Sequence, residues 1–244
     1  MAVRAAKELH DGDVVFVGIG LPNLACNLAR ATHAPNLVLI YESGAVGAVP
    51  ERLPVSIGDP SLVTDSLAVA SMADIFQLYL QGGRIQVGFL GGAQIDRYGN
   101  INSTVIGSYA KPKVRLPGSG GACEIAIHAE RVVVVAPLSA RAFPAEVDFI
   151  TSPGQAGKYG TRRALGLPGG GPTRIVTDVG VLEPSDDDGE LELAEIYPDV
   201  QVDDVKAKVG WPLRVRAKLE RVAPPSGEEL RLLRDVLDPG HLYI

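Results

Sequence analysis

The sequence predicts an α/β fold: a three-layer αβα domain on a mainly parallel sheet, with an antiparallel extension near the carboxyl end, spanning residues 1–244 as one domain. Three observations predict it. Short apolar runs of strand length alternate with stretches of helical periodicity up to about residue 150. Those runs are apolar throughout rather than alternating, as strands covered on both faces are. Glycines cluster directly after them, where the chain must turn tightly or let another group come close.

The elements follow in order. Val3, Ala6 and Leu9 share a helical face, so Val3–His10 is a helix that Asp11-Gly12-Asp13 ends. Val14–Val17 is a buried strand. Gly18-Ile19-Gly20 leads into a second helix, Leu21–Ala31, with Leu24, Leu28 and Ala31 aligned and Pro22 in the first turn, where its missing N–H is not needed. Leu37–Ile40 is the next strand, closing a right-handed β-α-β unit. Within 61–81 a helix is expected to start near Ser71 and to turn Ile75, Leu78 and Tyr79 inward. Ile85–Leu90 is a strand that Gly91-Gly92 ends. In the turn Asp96-Arg97-Tyr98-Gly99-Asn100, both Gly99 and Asn100 suit positive φ. Glu124–Ala129 is a short helix and Arg131–Pro137 a strand.

Beyond that the pattern changes. Thr173–Leu182 and Glu190–Ile196 read as strands of an antiparallel hairpin about Asp186-Asp187-Asp188-Gly189. Val202–Val209 is a helix, Leu213–Leu219 a strand, and Ser226–Leu237 a closing helix with Ser226 and Glu229 spaced as a capping box.

Composition narrows the function. At 244 residues and 46% hydrophobic, the chain fills one core well and is short for two. A net charge of −6 with no basic run argues against nucleic acid as a partner. Two cysteines are too few for a disulfide framework, so a reducing, cytoplasmic setting is expected. MAVRAAKELHDGD lacks the apolar stretch of a signal peptide, and runs such as Val132–Leu138 fall far short of a membrane span.

In open α/β sheets ligands bind beyond the carboxyl ends of the strands, so the segments there hold the candidates. Glu42 stands just past the buried strand Leu37–Ile40, with only Tyr41 between, and precedes a glycine turn. A carboxylate so placed is either a rigidly held reactive group or a solvated or helix-capping one; Gly44 and Gly47, which admit a close neighbour, favour the first. Gly118-Ser119-Gly120-Gly121 leads into a helix, so its N–H groups either cradle an anion or form a plain tight turn. Gly18-Ile19-Gly20 lacks the third glycine of a dinucleotide fingerprint. No metal is expected: His10, His33, His128 and His241 are scattered. Cys26 and Cys123 read as buried small hydrophobes. Asp96, Asn100 and Asn102 read as turn-stabilising, while Arg84, Lys111, Lys113 and Arg115 are candidate partners for phosphate or carboxylate.

At these residues the sequence resembles the β subunits of class I coenzyme A transferases. Tyr41-Glu42-Ser43-Gly44 is similar to the family's glutamate loop. Gly82-Gly83-Arg84-Ile85 through Gly91-Gly92-Ala93-Gln94-Ile95-Asp96 and Gly99-Asn100-Ile101-Asn102 resemble its central strand and turn, and Gly118-Ser119-Gly120-Gly121-Ala122 its second glycine loop. Phe149-Ile150-Thr151-Ser152-Pro153-Gly154 and Leu165-Gly166-Leu167-Pro168-Gly169 resemble the 3-oxoadipate and glutaconate branch.

The resemblance implies Glu42 as nucleophile and the Gly121 N–H as oxyanion donor, with Gly20, Ser43, Gly44, Gly92, Gln94, Gly118, Gly120 and Ala122 binding substrate or coenzyme A. It implies coenzyme A as a substrate, no permanently bound cofactor, and a homologous α subunit in a hetero-oligomer, since the chain has no second half. The implied reaction moves coenzyme A from succinyl-CoA to an acid, foremost 3-oxoadipate. Acetate-type members carry Ser before and Asn after the glutamate; Tyr41 and Ser43 here make short fatty acids less expected. The other readings are a glutaconate-type or other dicarboxylate transferase, a thioester or ring-cleavage hydrolase on the same scaffold, and a sugar-phosphate-sensing domain in which Glu42 is structural.

Overall fold

The computed structural model describes residues 1–244 and divides them into two compact units, Met1–Leu90 with Pro224–Ile244, and Gly91–Ala223. The sequence reading takes the same residues as one domain. Both units are α/β, as the fold class requires. No helix is long and apolar enough to cross a membrane.

The first unit opens with α1 (Ala2–Ala6), β1 (Val14–Phe16), α2 (Leu21–Ala31) and β2 (Val38–Ile40). α2 has the bounds its periodicity and Pro22 predict, with Gly20 at φ 100° as its N-cap. Val15, Leu39 and Ile40 are fully buried, which is why these strands are apolar on every residue. β1 pairs parallel with β2, as the β-α-β reading requires. Two short strands follow, β3 (Ala45–Val46) and β4 (Ala68–Val69), then α3 (Met72–Asp74) and β5 (Val87–Leu90). The strand order is β5-β1-β2-β3-β4, with β5 parallel to β1 and the β2–β3 and β3–β4 pairs antiparallel.

The helix predicted near Ser71 is present, but its winding differs. Ser71 and Asp74 form a capping box, and α3 runs straight into a π-helical stretch, Ile75–Leu80. Its widened turn closes i→i+5 bonds, Gln81 N–H to Phe76 C=O at 2.8 Å and Arg84 N–H to Tyr79 C=O at 2.9 Å. Residues five apart then share a face, so Ile75 and Leu80 are buried and Leu78, expected inward from a 3.6 period, is 56% exposed. The closing helix, Gly227–Arg231, has the predicted Ser226–Glu229 capping box and also passes into a π-helical stretch, Leu232–Leu237.

The second unit contains β6 (Gln94–Ile95), β7 (Ile101–Asn102), β8 (Val105–Gly107), β9 (Pro112–Arg115), α4 (Ala122–His128), β10 (Arg131–Val135), β11 (Ala156–Gly157), β12 (Gly160–Thr161), β13 (Pro172–Val176), β14 (Gly180–Pro184), β15 (Leu191–Ile196), α5 (Val202–Lys206) and β16 (Arg214–Arg221). Its main strands run β16-β15-β14-β13-β10. β10–β13 and β15–β16 are parallel; β13–β14 and β14–β15 are antiparallel, which is the predicted extension. Thr173–Leu182, read as one strand, is two: Thr177 Oγ1 accepts from Gly180 N–H and donates to Gly180 C=O, folding the chain back between β13 and β14. In the Asp96–Asn100 turn only Gly99 takes positive φ, 74°. Asn100 serves through its side chain, donating to both Asp96 carboxylate oxygens at 3.1 Å.

Arg162 is the structural centre of this unit that no sequence pattern marks. It is 7% exposed and donates to five backbone carbonyls: Gly169, Pro153, Gly154, Ala126 and Ile127. Ala126 and Ile127 are in the last turn of α4, so the guanidinium neutralises the negative end of that helix. Removing it strands several buried acceptors. Arg162→Met is expected to lower stability by about 3 kcal/mol in equilibrium urea unfolding. A change within about 0.5 kcal/mol would mean the carbonyls find other donors.

Candidate active site

In the first unit, parallel pairing sends the carboxyl ends of β1, β2 and β5 to one edge. Gly18-Ile19-Gly20 follows β1 there, and a Cβ on Gly18 or Gly20 would meet nothing within 4 Å. The residues after β2 form a three-residue hairpin loop. Gly44 N–H donates to Tyr41 C=O at 2.9 Å and Tyr41 N–H donates to Ala45 C=O at 3.0 Å. Glu42 and Ser43 are thus the two central residues of a turn, and Gly44, at φ 112°, is the residue that closes it.

This places Glu42 at the tip of the β2–β3 hairpin. The carboxylate is half-buried and takes no hydrogen bond or ion pair within the chain. Ser43 beside it is exposed. Gly44 is tight on its far side: a Cβ there would lie 2.1 Å from the Ala70 carbonyl oxygen. The base of the hairpin is held from α2. Tyr41 is fully buried, and Asn23 Nδ2 donates to its hydroxyl at 2.7 Å. Burial pushes the Tyr41 phenol up to about 12, with the Asn23 bond opposing the rise. Cys26, on the same helix, is fully buried and its thiol is likewise pushed up by burial. That is the small-hydrophobe role expected of it; Cys123 is half-buried.

The other glycine loop is in the second unit. Gly118 is fixed at its base: its N–H donates to Ser103 C=O at 2.8 Å, and Ser103 Oγ donates back to Gly118 C=O at 2.8 Å. Ser103 is held in turn, its N–H donating to Thr151 Oγ1. Gly118 and Gly120 take φ of 103° and 46°, and a Cβ on either would meet nothing within 4 Å. Gly121 is the N-cap of α4, and the ladder of that helix starts with Ile125 N–H to Gly121 C=O. The Gly121 N–H is therefore outside the ladder. Ala122, the first helical residue, donates its N–H to Ser119 C=O.

Gln94 and Gly92 belong to the same unit. The Gln94 amide is committed internally: Oε1 accepts from Asp148 N–H and Asn102 Nδ2, and Nε2 donates to Asp148. Gly92 lets Ile101 approach, since a Cβ would stand 2.3 Å from its Cγ2. Asp96, Asn100 and Asn102 are all buried in turn bonds, as read from the sequence. Lys111, Lys113 and Arg115 come together on the β8–β9 hairpin, where Arg115 lies 4.9 Å over the Tyr109 ring; Arg84 belongs to the first unit.

Sequence reasoning identified the hairpin glutamate and both glycine loops. It missed Asn23, Asn27 and Arg30 on α2, and the Ser103–Thr151 clasp. The first three carry a legible signal, polar residues at helical spacing in a helix whose other residues are apolar.

The chain is similar to known proteins over nearly its whole length. The chain is 49% identical over 234 residues to the B-type subunit of 3-oxoadipate CoA-transferase from Pseudomonas knackmussii, covering 96% of this chain and 90% of that protein. It is 37% identical over 248 residues to the B-type subunit of glutaconate CoA-transferase from Acidaminococcus fermentans, covering 100% and 92%. The crystal structure of the Acidaminococcus fermentans glutaconate coenzyme A-transferase superimposes with a TM-score of 0.91 at 36% identity, over 100% of this chain and 95% of that one. The pattern described as coenzyme A transferase matches residues 1–208, and the chain belongs to that family.

Proposed function

We propose that the chain is the glutamate-bearing β subunit of a transferase that moves coenzyme A from succinyl-CoA to 3-oxoadipate. The observation that carries the chemistry is Glu42, an uncommitted, half-buried carboxylate on a hairpin tip braced by its own backbone. The 49% identity to a 3-oxoadipate transferase subunit supports the acceptor.

Glu42 Oε attacks the thioester carbonyl and coenzyme A leaves as thiolate, giving an acyl-glutamyl anhydride. The thiolate attacks the glutamyl carbonyl, releases succinate and leaves a glutamyl-CoA thioester. The acceptor carboxylate then attacks that thioester, and the released thiolate takes the new acyl group, restoring the Glu42 carboxylate. Three covalent intermediates, an anhydride with the donor acid, the glutamyl-CoA thioester and an anhydride with the acceptor acid, replace one difficult exchange, with ping-pong kinetics. The family resemblance gives the Gly121 N–H the developing oxyanion; such a donor is worth about 2.7–4 kcal/mol of barrier in other enzymes. The same resemblance assigns Gly20, Ser43, Gly44, Gly92, Gly118, Gly120 and Ala122 to substrate or coenzyme A; Gln94, assigned there too, has its amide committed to Asn102 and Asp148 and holds its loop instead.

An α subunit is part of the proposal. β4 is the outermost strand of its unit, yet Val69 on it and Leu67 just before it are 65% and 75% exposed. An apolar strand edge is a pairing hazard unless another chain covers it. The location proposed is cytoplasmic, and coenzyme A is a substrate rather than a resident cofactor.

The test is a panel of acceptors with succinyl-CoA as donor, using the chain co-expressed with an α subunit. The proposal expects 3-oxoadipate to have the highest kcat/KM, above glutaconate and far above acetate. A preference for glutaconate would move the chain to the other dicarboxylate branch. Release of free acid without transfer to any acceptor would make it a hydrolase.

A further inference from the structure

The Glu42 hairpin is tied at both ends to one helix by a single run of side chains. Asn23, Asn27 and Arg30 stand at i, i+4 and i+7 on α2, hence on one face. Asn23 Nδ2 donates to the Tyr41 hydroxyl at 2.7 Å. Asn27 Nδ2 donates to Asn23 Oδ1 at 3.0 Å and to Asn23 C=O at 2.9 Å. Arg30 Nη2 donates to Asn27 Oδ1 at 3.0 Å, and Arg30 Nη1 donates to Ala48 C=O at 2.8 Å. The ladder starts on the residue before Glu42 and ends just past β3.

Its burial is the informative feature. Asn23 and Tyr41 are fully buried and Asn27 is 8% exposed. Apolar side chains would hold α2 against the strands without the cost of desolvating two amides and a phenol. A satisfied polar ladder supplies direction, which apolar packing does not. Glu42, by contrast, has no bond of its own within the chain, so its place is set by the backbone that carries it.

We propose that Asn23, Tyr41 and Arg30 are positioning residues for Glu42, locking the hairpin so that its carboxylate meets the thioester in register. This deepens the reading of Glu42 as nucleophile and rests on it. None of the three touches substrate in this account. Their contribution is to the covalent step, where a displacement of about 1 Å costs about 100-fold in rate.

The test uses the complex with an α subunit and succinyl-CoA without acceptor. The single-turnover rate of coenzyme A attachment to Glu42 is measured for Tyr41→Phe, Arg30→Met and the double variant, with the final extent of attachment counting competent sites. The expected result is at least a roughly tenfold slower attachment in each single variant, with KM for succinyl-CoA unchanged. The double variant is expected to be little slower than the slower single one, because either break releases the same ladder. Arg30→Lys, which keeps a donor toward Ala48, recovers part of the loss. Unchanged rates in Tyr41→Phe and Arg30→Met, with Glu42→Gln inactive, would overturn the ladder's role alone. So would a rate loss that vanishes once competent sites are counted. Attachment or transfer surviving in Glu42→Gln would overturn the nucleophile and, with it, this inference.

Discussion

Glu42→Gln is expected to yield a folded protein that no longer transfers coenzyme A. The substitution keeps the side chain's shape and removes only its charge and nucleophilic oxygen. The carboxylate makes no hydrogen bond or ion pair within the chain, so nothing in the fold depends on its charge. Stability should change by no more than about 0.5 kcal/mol in urea unfolding. Transfer should fall at least about 10³-fold, because every covalent step begins or ends on that oxygen. Retained transfer in a clean glutamine variant would remove Glu42 from the mechanism.

Gly44→Ala is expected to damage fold and activity together. Gly44 sits at φ 112°, where a side chain is strained, and the new Cβ would lie 2.1 Å from the Ala70 carbonyl oxygen. That oxygen is backbone and cannot swing away. Ala70 N–H also donates to Gly44 C=O, so relief means separating β3 from β4. Strain and overpacking together should cost about 2–5 kcal/mol. Any hairpin that survives would carry Glu42 displaced. Gly18→Ala is the control: no Cβ contact falls within 4 Å there, and the loss should stay within about 0.5 kcal/mol. Equal unfolding midpoints for the two variants would show that the close approach at Gly44 is not a constraint.

What the sequence reveals follows from where pattern and structure share one cause. α2, β1 and β2 are legible because burial on both strand faces leaves continuous apolar runs, and Pro22 marks the helix start. The two-residue strands β3 and β4 are not, since two residues show no period. Leu78 is misread because the helix after Ser71 widens to a π-helical turn, a change of period that local composition does not announce. Thr173–Leu182 looks like one strand because the fold-back at Thr177 uses a side-chain hydroxyl in place of a Gly-Asn or Gly-Pro signal.

The site divides in the same way. Glu42 and the glycines are conspicuous because a charge or a missing side chain just after a buried strand is unusual. The groups that hold them are not. Arg162 reads as one more basic residue in a glycine-rich loop until five carbonyls are seen around it. Asn23, Asn27 and Arg30 are a stripe in the sequence, but only the fold shows the stripe turned inward onto Tyr41.

The central claim is that Glu42 is covalently loaded with coenzyme A. Incubating the complex with succinyl-CoA and no acceptor, then digesting it and weighing the peptides, tests this directly. The account predicts that the peptide containing Glu42 gains the mass of coenzyme A less one water, and loses it when an acceptor acid is added. An unmodified Glu42 peptide from protein that is turning over substrate would contradict it.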